Sequence, residues 1–467
     1  MANLRTPPGL KRGRKKRPAL QPQQVTGRKY LQILRSYLHR LHAIYPHPNR
    51  VLFYDDVVVS YLVAFFSPAL RSLRLIEDAS QVPGVNQYLN VDAVCSSTLS
   101  DANALFDPAH LAGLIADLRK DLPVTSPGSN SAVGDPALME LLDMAVLVDG
   151  SFFRLAADVQ WAIHAANQYG GGKGTTAKPV PEAKPTGTQP ARVPGARVKE
   201  RQRKRAAKKA QSTEPGIGMV RLNCQYCLKN GVPTGVSVNG SDGVHESSAA
   251  EPFVEPGHVY LFDSGIVSFK YLSRILDNDS HLLCNLGVKV SFTTEQTREL
   301  TAQDRAAGII SDRIGYLSGS HGNTPPPKTK LREVIVGYTD RQGVYRQLRL
   351  LTDLLDLSAY AVAEFYRQRW KIELFFRWLK VSANFSHLCS HSKNGISLSF
   401  HVAVIAALLM VLRTGKPLSV YGYSMLSMVA AGQADMSHIL PILEQRQRER
   451  RLARERLARK RAAEKSV

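Results

Sequence analysis

A chain of 467 residues with 44% hydrophobic content is long enough for two or three domains and a sizeable core. Its formal charge of +22 and pI near 9.8 point to polyanions as partners, nucleic acid first. Five cysteines without disulfide spacing, no secretory leader and a longest apolar run of eleven residues (402–412) exclude a secreted disulfide scaffold and a membrane span, and suit a reducing, cytoplasmic interior.

The basic excess sits in three runs. Residues 1–29 hold nine Lys/Arg and no acid, residues 169–213 twelve bases against two acids, and residues 444–467 ten against four. Such runs read as solvated tails or loops that can also hold DNA without sequence choice.

In chain order, 1–29 is a basic disordered tail and 30–125 a helical domain. "YLQILRSYLHRLHAIY" has helical apolar spacing, and Asp107-Pro108 gives an N-cap with proline at the first helical position. Between them, Ser96 or Ser97 can cap a short helix carrying Thr98, Ser100, Asp101 and Asn103, small polar residues that suit either a DNA groove or a helical bundle. Residues 126–138 form a Pro/Gly/Ser linker.

The pattern then turns to strands. "MAVLVDGS" (144–151) is an apolar strand ending in Asp149, and 221–240 is a hairpin turning at Lys229-Asn230-Gly231. "HVYLFDSG" (258–265) is a strand ending in Asp263, followed by a helix at 269–276 and a strand at 281–290. Strands with interleaved helices make this an α/β fold with a mixed sheet. Residues 292–354 read as a β-rich insertion, 402–412 as a buried core helix, and 416–467 as a helical basic tail. "GGGKGTT" (170–176) lacks phosphate-loop order, "CQYC" (224–227) reads as core cysteines, and "HLCSH" (387–391) lacks a fourth ligand for zinc.

Three acids carry the chemistry. An acid at the end of an apolar strand is costly unless paired, solvated or metal-bound, and Asp149 and Asp263 both stand there. Asp158, Asp277 and Asp279 are rival acids. In "YRQRWKIELFFRWLK" (366–380), Tyr366, Arg369, Glu373 and Lys380 fall within roughly 60° of arc on one helix and span about 21 Å of its axis. Arg and Lys suit phosphate, and an acid among them suits a metal. Carboxylates from neighbouring strands and a facing helix can hold two Mg²⁺ ions about 3.5–4 Å apart.

The spacing Y-x2-R-x3-E-x6-K, with both aspartates, resembles the signature of cut-and-paste DDE transposases of bacterial insertion sequences. The likeness extends over roughly 85–415, through "VLVDGSF", "VYLFDSGIVSFKYLSRI", "ELTAQDRAAGIISDRI" and "SHSKNGI". It implies a ribonuclease-H-like core (139–291 and 355–415, with 169–213 a basic loop out of it) interrupted by the β insertion at 292–354, and a DNA-binding role for 30–125. It implies Asp149, Asp263 and Glu373 as the catalytic, metal-binding triad for two ions, Mg²⁺ or Mn²⁺. Tyr366, Arg369 and Lys380 would contact phosphates of double-stranded DNA at the element end, with a homodimer pairing two ends near the nucleoid. Asp263-Ser264-Gly265 departs from the family's frequent Asp-Arg-Gly, and no tryptophan lies in 292–354 to hold a flipped base, which leaves Tyr316 or Tyr338 for that place. A nuclease of the same fold without joining activity and an inactive element-derived DNA-binding protein are the alternatives.

Overall fold

The computed structural model describes residues 28–44, 51–67, 69–122, 136–155, 159–164, 217–241, 243–288, 290–319, 324–340, 342–382, 390–414, 425, 428 and 434–465. The N-terminal tail before Arg28, the basic loop, Asp158, His387 and Cys389 lie outside them.

The N-terminal part is helical, as its apolar spacing predicts: α1 (Arg28–Leu34), α2 (His39–His42), α3 (Tyr54–Phe66), α4 (Leu73–Ser80), α5 (Pro83–Asn86), α6 (Ser96–Leu105) and α7 (Leu111–Lys120). The helix expected from Tyr30 starts two residues earlier and breaks at a 3-10 turn, Arg35–Tyr37. Asp107 caps as expected, its Oδ1 accepting from the Ala109 amide at 2.9 Å, but the cap opens a 3-10 turn that leads into α7. Neither Ser96 nor Ser97 caps α6. Cys95 holds the cap position, with its Sγ 3.1 Å from the Ser97 hydroxyl and no side-chain cap bond, and Ser96 is already helical. Asn103 does not face outward either: it is buried and accepts the Tyr61 hydroxyl at 2.6 Å.

The end of the expected linker is helical, since α8 (Pro136–Met144) begins there with proline at its first position. It feeds β1 (Ala145–Arg154), which pairs on one side with β3 (Ile217–Cys227) and on the other with β5 (Val259–Phe262). β2 (Ile163–His164) caps one end of β3, and β4 (Val232–Asn239) returns from β3 through Gly231, whose φ of 64° lets the Lys229-Asn230-Gly231 turn close. A short helix, α9 (Glu246–Ala250), precedes β5, and α10 (Phe269–Leu276) joins it to β6 (His281–Asn285). The central order is β4-β3-β1-β5-β6, with β1, β5 and β6 parallel, β3 antiparallel to β1, and β4 antiparallel to β3.

The expected insertion is β-rich, and its strands continue this same sheet. β7 (Ser291–Thr297), β8 (Ile309–Ser318), β9 (Leu331–Thr339) and β10 (Tyr345–Thr352) form an antiparallel meander, with α11 (Ala302–Ala306) inside it, and β10 pairs with β6 from Leu350↔Asn285 to Thr352↔Leu283. A buried ion network ties the meander together. Arg332 is fully buried and donates to both oxygens of Asp312 at 2.8 Å and to the carbonyls of Leu355 and Leu357. Glu333, also fully buried, takes Arg313 and Arg349.

The chain then runs through α12 (Ala359–Arg367), α13 (Trp370–Ser382), α14 (Lys393–Thr414) and α15 (Met436–Lys465). Because side chains alternate along a strand, Ala145 and Leu147 face one core while Val146 and Val148 face the other. The first core also holds the N-terminal helices and α12–α14; the second holds α10. Burial on both faces explains why β1 and β5 read as continuous apolar runs. The run 402–412 lies inside α14, which is long and apolar enough to cross a membrane but is 89% buried within the fold. It packs on α1, α3, α6, α7 and β4, and so belongs to the helical part and the sheet at once.

His401 sits on α14, buried, with Nδ1 2.8 Å from the Ser397 carbonyl. Burial lowers its pKa below the usual 6.5, against smaller opposing effects of that carbonyl and of Asp107. The unfolded chain therefore binds a proton before the folded one does, and stability is lost as pH falls below about 6.5. His401→Gln is expected to flatten this slope, by at most about 1.4 kcal/mol per pH unit, in denaturant titrations at pH 7 and 5.5.

Candidate active site

The sheet register brings the two aspartates together. β1 and β5 run parallel with Ala145↔Val259 through Val148↔Phe262, so the next residues on the two strands are Asp149 and Asp263. Asp149 does not end its strand, as the sequence pattern suggests. β1 continues five residues to Arg154, still paired with β3, while its pairing with β5 stops at Val148. Asp149 therefore stands where the sheet opens between the two strands. β6 adds a third neighbour: Phe262↔Cys284 leaves Asn285 beside Asp263, and Asn285 Nδ2 donates to Asp263 Oδ1 at 3.1 Å. The Ser264 amide donates to that same oxygen at 2.7 Å, and the Gly150 amide to Asp149 Oδ1 at 2.8 Å.

The third acid arrives from a helix, through Arg369. Its Nη1 lies 3.2 Å from Asp149 Oδ2 and its Nη2 2.7 Å from Glu373 Oε1, so one guanidinium bridges the two carboxylates. The expected single helical stripe does not exist as such. Tyr366 is in the last turn of α12, Arg369 lies in the break after it, and Glu373 and Lys380 are on α13. The amides of Gln368, Arg369, Lys371 and Ile372 bond three residues back, which tightens the backbone across the break. Tyr366 is nearly buried, with its ring centre 5.9 Å from the Arg369 guanidinium. Lys380 Nζ lies 5.1 Å from the centre of the Phe153 ring on β1. All six expected residues thus gather at one end of β1 and β5, while Asp277 caps the far end of α10 and Asp279 adopts a left-handed turn (φ 50°) beyond it.

Electrostatics show a site short of positive charge. Burial pushes the Asp149 carboxyl up to about 6; Arg369 and the Gly150 amide oppose this, and the charges of Glu373 and Glu246 add to it. Burial lowers the Lys380 pKa, and Asp149 pulls the other way. Arg369 keeps its charge despite burial, because Tyr366, Asp149, Asp263 and Glu373 more than compensate. Among the described residues no three His, Cys, Asp or Glu side chains are gathered closely enough to hold an ion as they stand, and the Arg369 guanidinium lies between two of the acids. The donor set nonetheless fits a hard divalent cation: it consists of carboxylate oxygens, and it lacks cation charge.

Sequence reasoning missed one residue here. Glu246, in the first turn of α9, lies against two glycines that follow the aspartates, Gly150 within β1 and Gly265 in the turn after β5. Its Oε1 is 3.1 Å from where a Cβ on Gly150 would stand, and its Oε2 3.5 Å from that of Gly265. An acid in a first helical turn is an ordinary preference, so no local signal marks it. The candidate base-stacking residues sit elsewhere on the meander, Tyr316 under Lys330 at 5.9 Å and Tyr338 about half-exposed. Cys224 is fully buried, as expected of a core cysteine, and burial raises its pKa.

Comparison with known proteins converges on the same region. Residues 183–409 match a family model described as the transposase DDE domain, a span that includes Asp263, Tyr366, Arg369, Glu373 and Lys380 and starts after Asp149. A protein of Geobacillus stearothermophilus described as a transposase for insertion sequence element IS5377 is 25% identical over 191 residues, 41% of this chain and 48% of that one. Transposase y4zB of Sinorhizobium fredii is 29% identical over 161 residues, covering 34% and 43%. A transposase described for insertion sequence element IS4SA of Synechocystis is 23% identical over 204 residues, covering 42% and 54%. The chain spans about half the length of these relatives. Together the matches make residues 183–409 similar to transposase DDE domains, and parts of the chain similar to transposases of insertion sequences.

Proposed function

We propose that this chain, whose residues 183–409 match the transposase DDE domain, binds the terminal inverted repeats of a mobile DNA element and catalyses metal-dependent strand cleavage and strand transfer of the cut-and-paste kind. The observation that carries the reading is the register that sets Asp149 beside Asp263, with Glu373 held to Asp149 through Arg369.

In this reading Asp149, Asp263 and Glu373 hold two divalent cations, Mg²⁺ or Mn²⁺. When bound, these activate the attacking water or 3′-hydroxyl and stabilise the leaving oxygen of the phosphodiester. The chain's own residues do the rest. Asn285 and the Ser264 amide fix one oxygen of Asp263. Arg369 and Lys380 offer phosphate donors at the site, Arg369 as a planar fork and Lys380 as a point charge. Tyr366 is too buried to face DNA broadly and serves as the surface on which Arg369 rests. Hydrolysis forms a P–O bond from water and breaks the P–O3′ bond, freeing a 3′-hydroxyl; that hydroxyl then exchanges one phosphodiester bond for another. Pairing two ends calls for a homodimer on DNA.

Strand cleavage on DNA carrying the inverted repeats that flank the coding region tests this. The wild type with Mg²⁺ is expected to nick at the repeat boundary, and Glu373→Gln is expected not to. Binding without cleavage by either protein would reject the enzyme in favour of a DNA-binding relic.

A further inference from the structure

Glu246 lies outside the three acids of the proposed triad, yet its placement is built. The two glycines that follow the aspartates, Gly150 and Gly265, leave the room its carboxylate fills, one oxygen toward each. Its side chain is 22% exposed, and Arg221 Nη1 stands 3.5 Å from Oε1. Arg221 is itself anchored, through Nε to Asn223 Oδ1 at 2.9 Å and through Nη2 to the Val244 carbonyl. A longer side chain than glycine at position 150 would press on this carboxylate. An acid held by an anchored arginine, beside the point where β1 and β5 part at the two aspartates, is poised to accept hydrogen bonds from water on a cation held there.

We propose that Glu246 is a positioning residue of the metal centre, a fourth carboxylate that holds the hydration shell of the divalent cation bound by Asp149 and Asp263. The inference rests on the metal-centre reading above. Outer partners of this kind carry roughly 10–100-fold in metal affinity.

The test is Mn²⁺ binding to the full-length protein by calorimetry, for the wild type, Glu246→Gln, Gly150→Ala and Asp149→Asn, with thermal melts to establish folding. Glu246→Gln is expected to bind Mn²⁺ about tenfold more weakly. Gly150→Ala, which displaces the carboxylate without removing it, is expected to show a smaller loss. Cleavage by Glu246→Gln is expected to recover as Mn²⁺ is raised about tenfold, a rescue that damage to the fold would not give. Glu246→Gln binding within twofold of wild type, while Asp149→Asn binds no Mn²⁺, would overturn this proposal and leave the metal centre standing. Full binding by Asp149→Asn as well would overturn both.

Discussion

Asp149→Ala is expected to lower strand cleavage by about 10³-fold or more while leaving affinity for repeat DNA within about twofold. The chemical loss follows from removing one of the carboxylates that would hold the cations, because metal stabilisation of transferring phosphoryl oxygens is worth several kcal/mol, and each 1.36 kcal/mol is about tenfold. Binding survives because Asp149 offers DNA no donor, and Arg369 keeps its partner Glu373 at 2.7 Å. The fold survives for a related reason: burial already holds the Asp149 carboxyl near pH 6, so its ionised form is a cost to the metal-free protein. Cleavage gels beside fluorescence anisotropy at one fixed salt concentration separate the two effects. A parallel fall in both would make Asp149 structural.

Arg332→Met is expected to lose about 3–5 kcal/mol of stability, read by chemical denaturation. The side chain is wholly inside, and it donates four hydrogen bonds, two to the oxygens of Asp312 and two to backbone carbonyls in the segment between β10 and α12. Methionine fills much of the volume and none of the charge. Asp312 is left with Arg298 at 3.7 Å, a longer and more exposed partner. The double change Asp312→Leu with Arg332→Met is expected to lose less than the single one, because no buried charge is then stranded. The consequence reaches the active site, since this segment leads directly into α12 and Arg369.

The sequence made the two aspartates legible because burial on both sheet faces writes β1 and β5 as unbroken apolar runs, and an acid directly after such a run stands out. It made α14 legible for the same reason. It did not show that β1 continues past Asp149, because Gly150 and Ser151 interrupt the apolar run, while pairing with β3 carries the strand on to Arg154. Nor did it show the break between α12 and α13. Gln368 and Arg369 are good helix formers, and the tightening occurs where Arg369 reaches both the nearby Glu373 and the distant Asp149, the latter a tertiary demand invisible in propensity. The meander's continuity with the main sheet depends on a β6–β10 pairing some seventy residues apart, which no local pattern specifies. Glu246 was illegible because its meaning lies in two glycines far from it in the chain.

The place of α14 in the chain sets a timetable. The helices it completes, α1, α3, α6 and α7, leave the ribosome about 270 residues before it does. At 5–20 residues per second that is roughly 15–55 s during which their apolar faces have no final partner. The N-terminal quarter is therefore a poor candidate for an autonomous module: expressed alone to residue 125, it is expected to aggregate, and supplying 393–414 as a tethered segment is expected to restore it. A newly made copy would gain its helical half and its third acid in the same late stage of synthesis, so an incomplete chain would have neither.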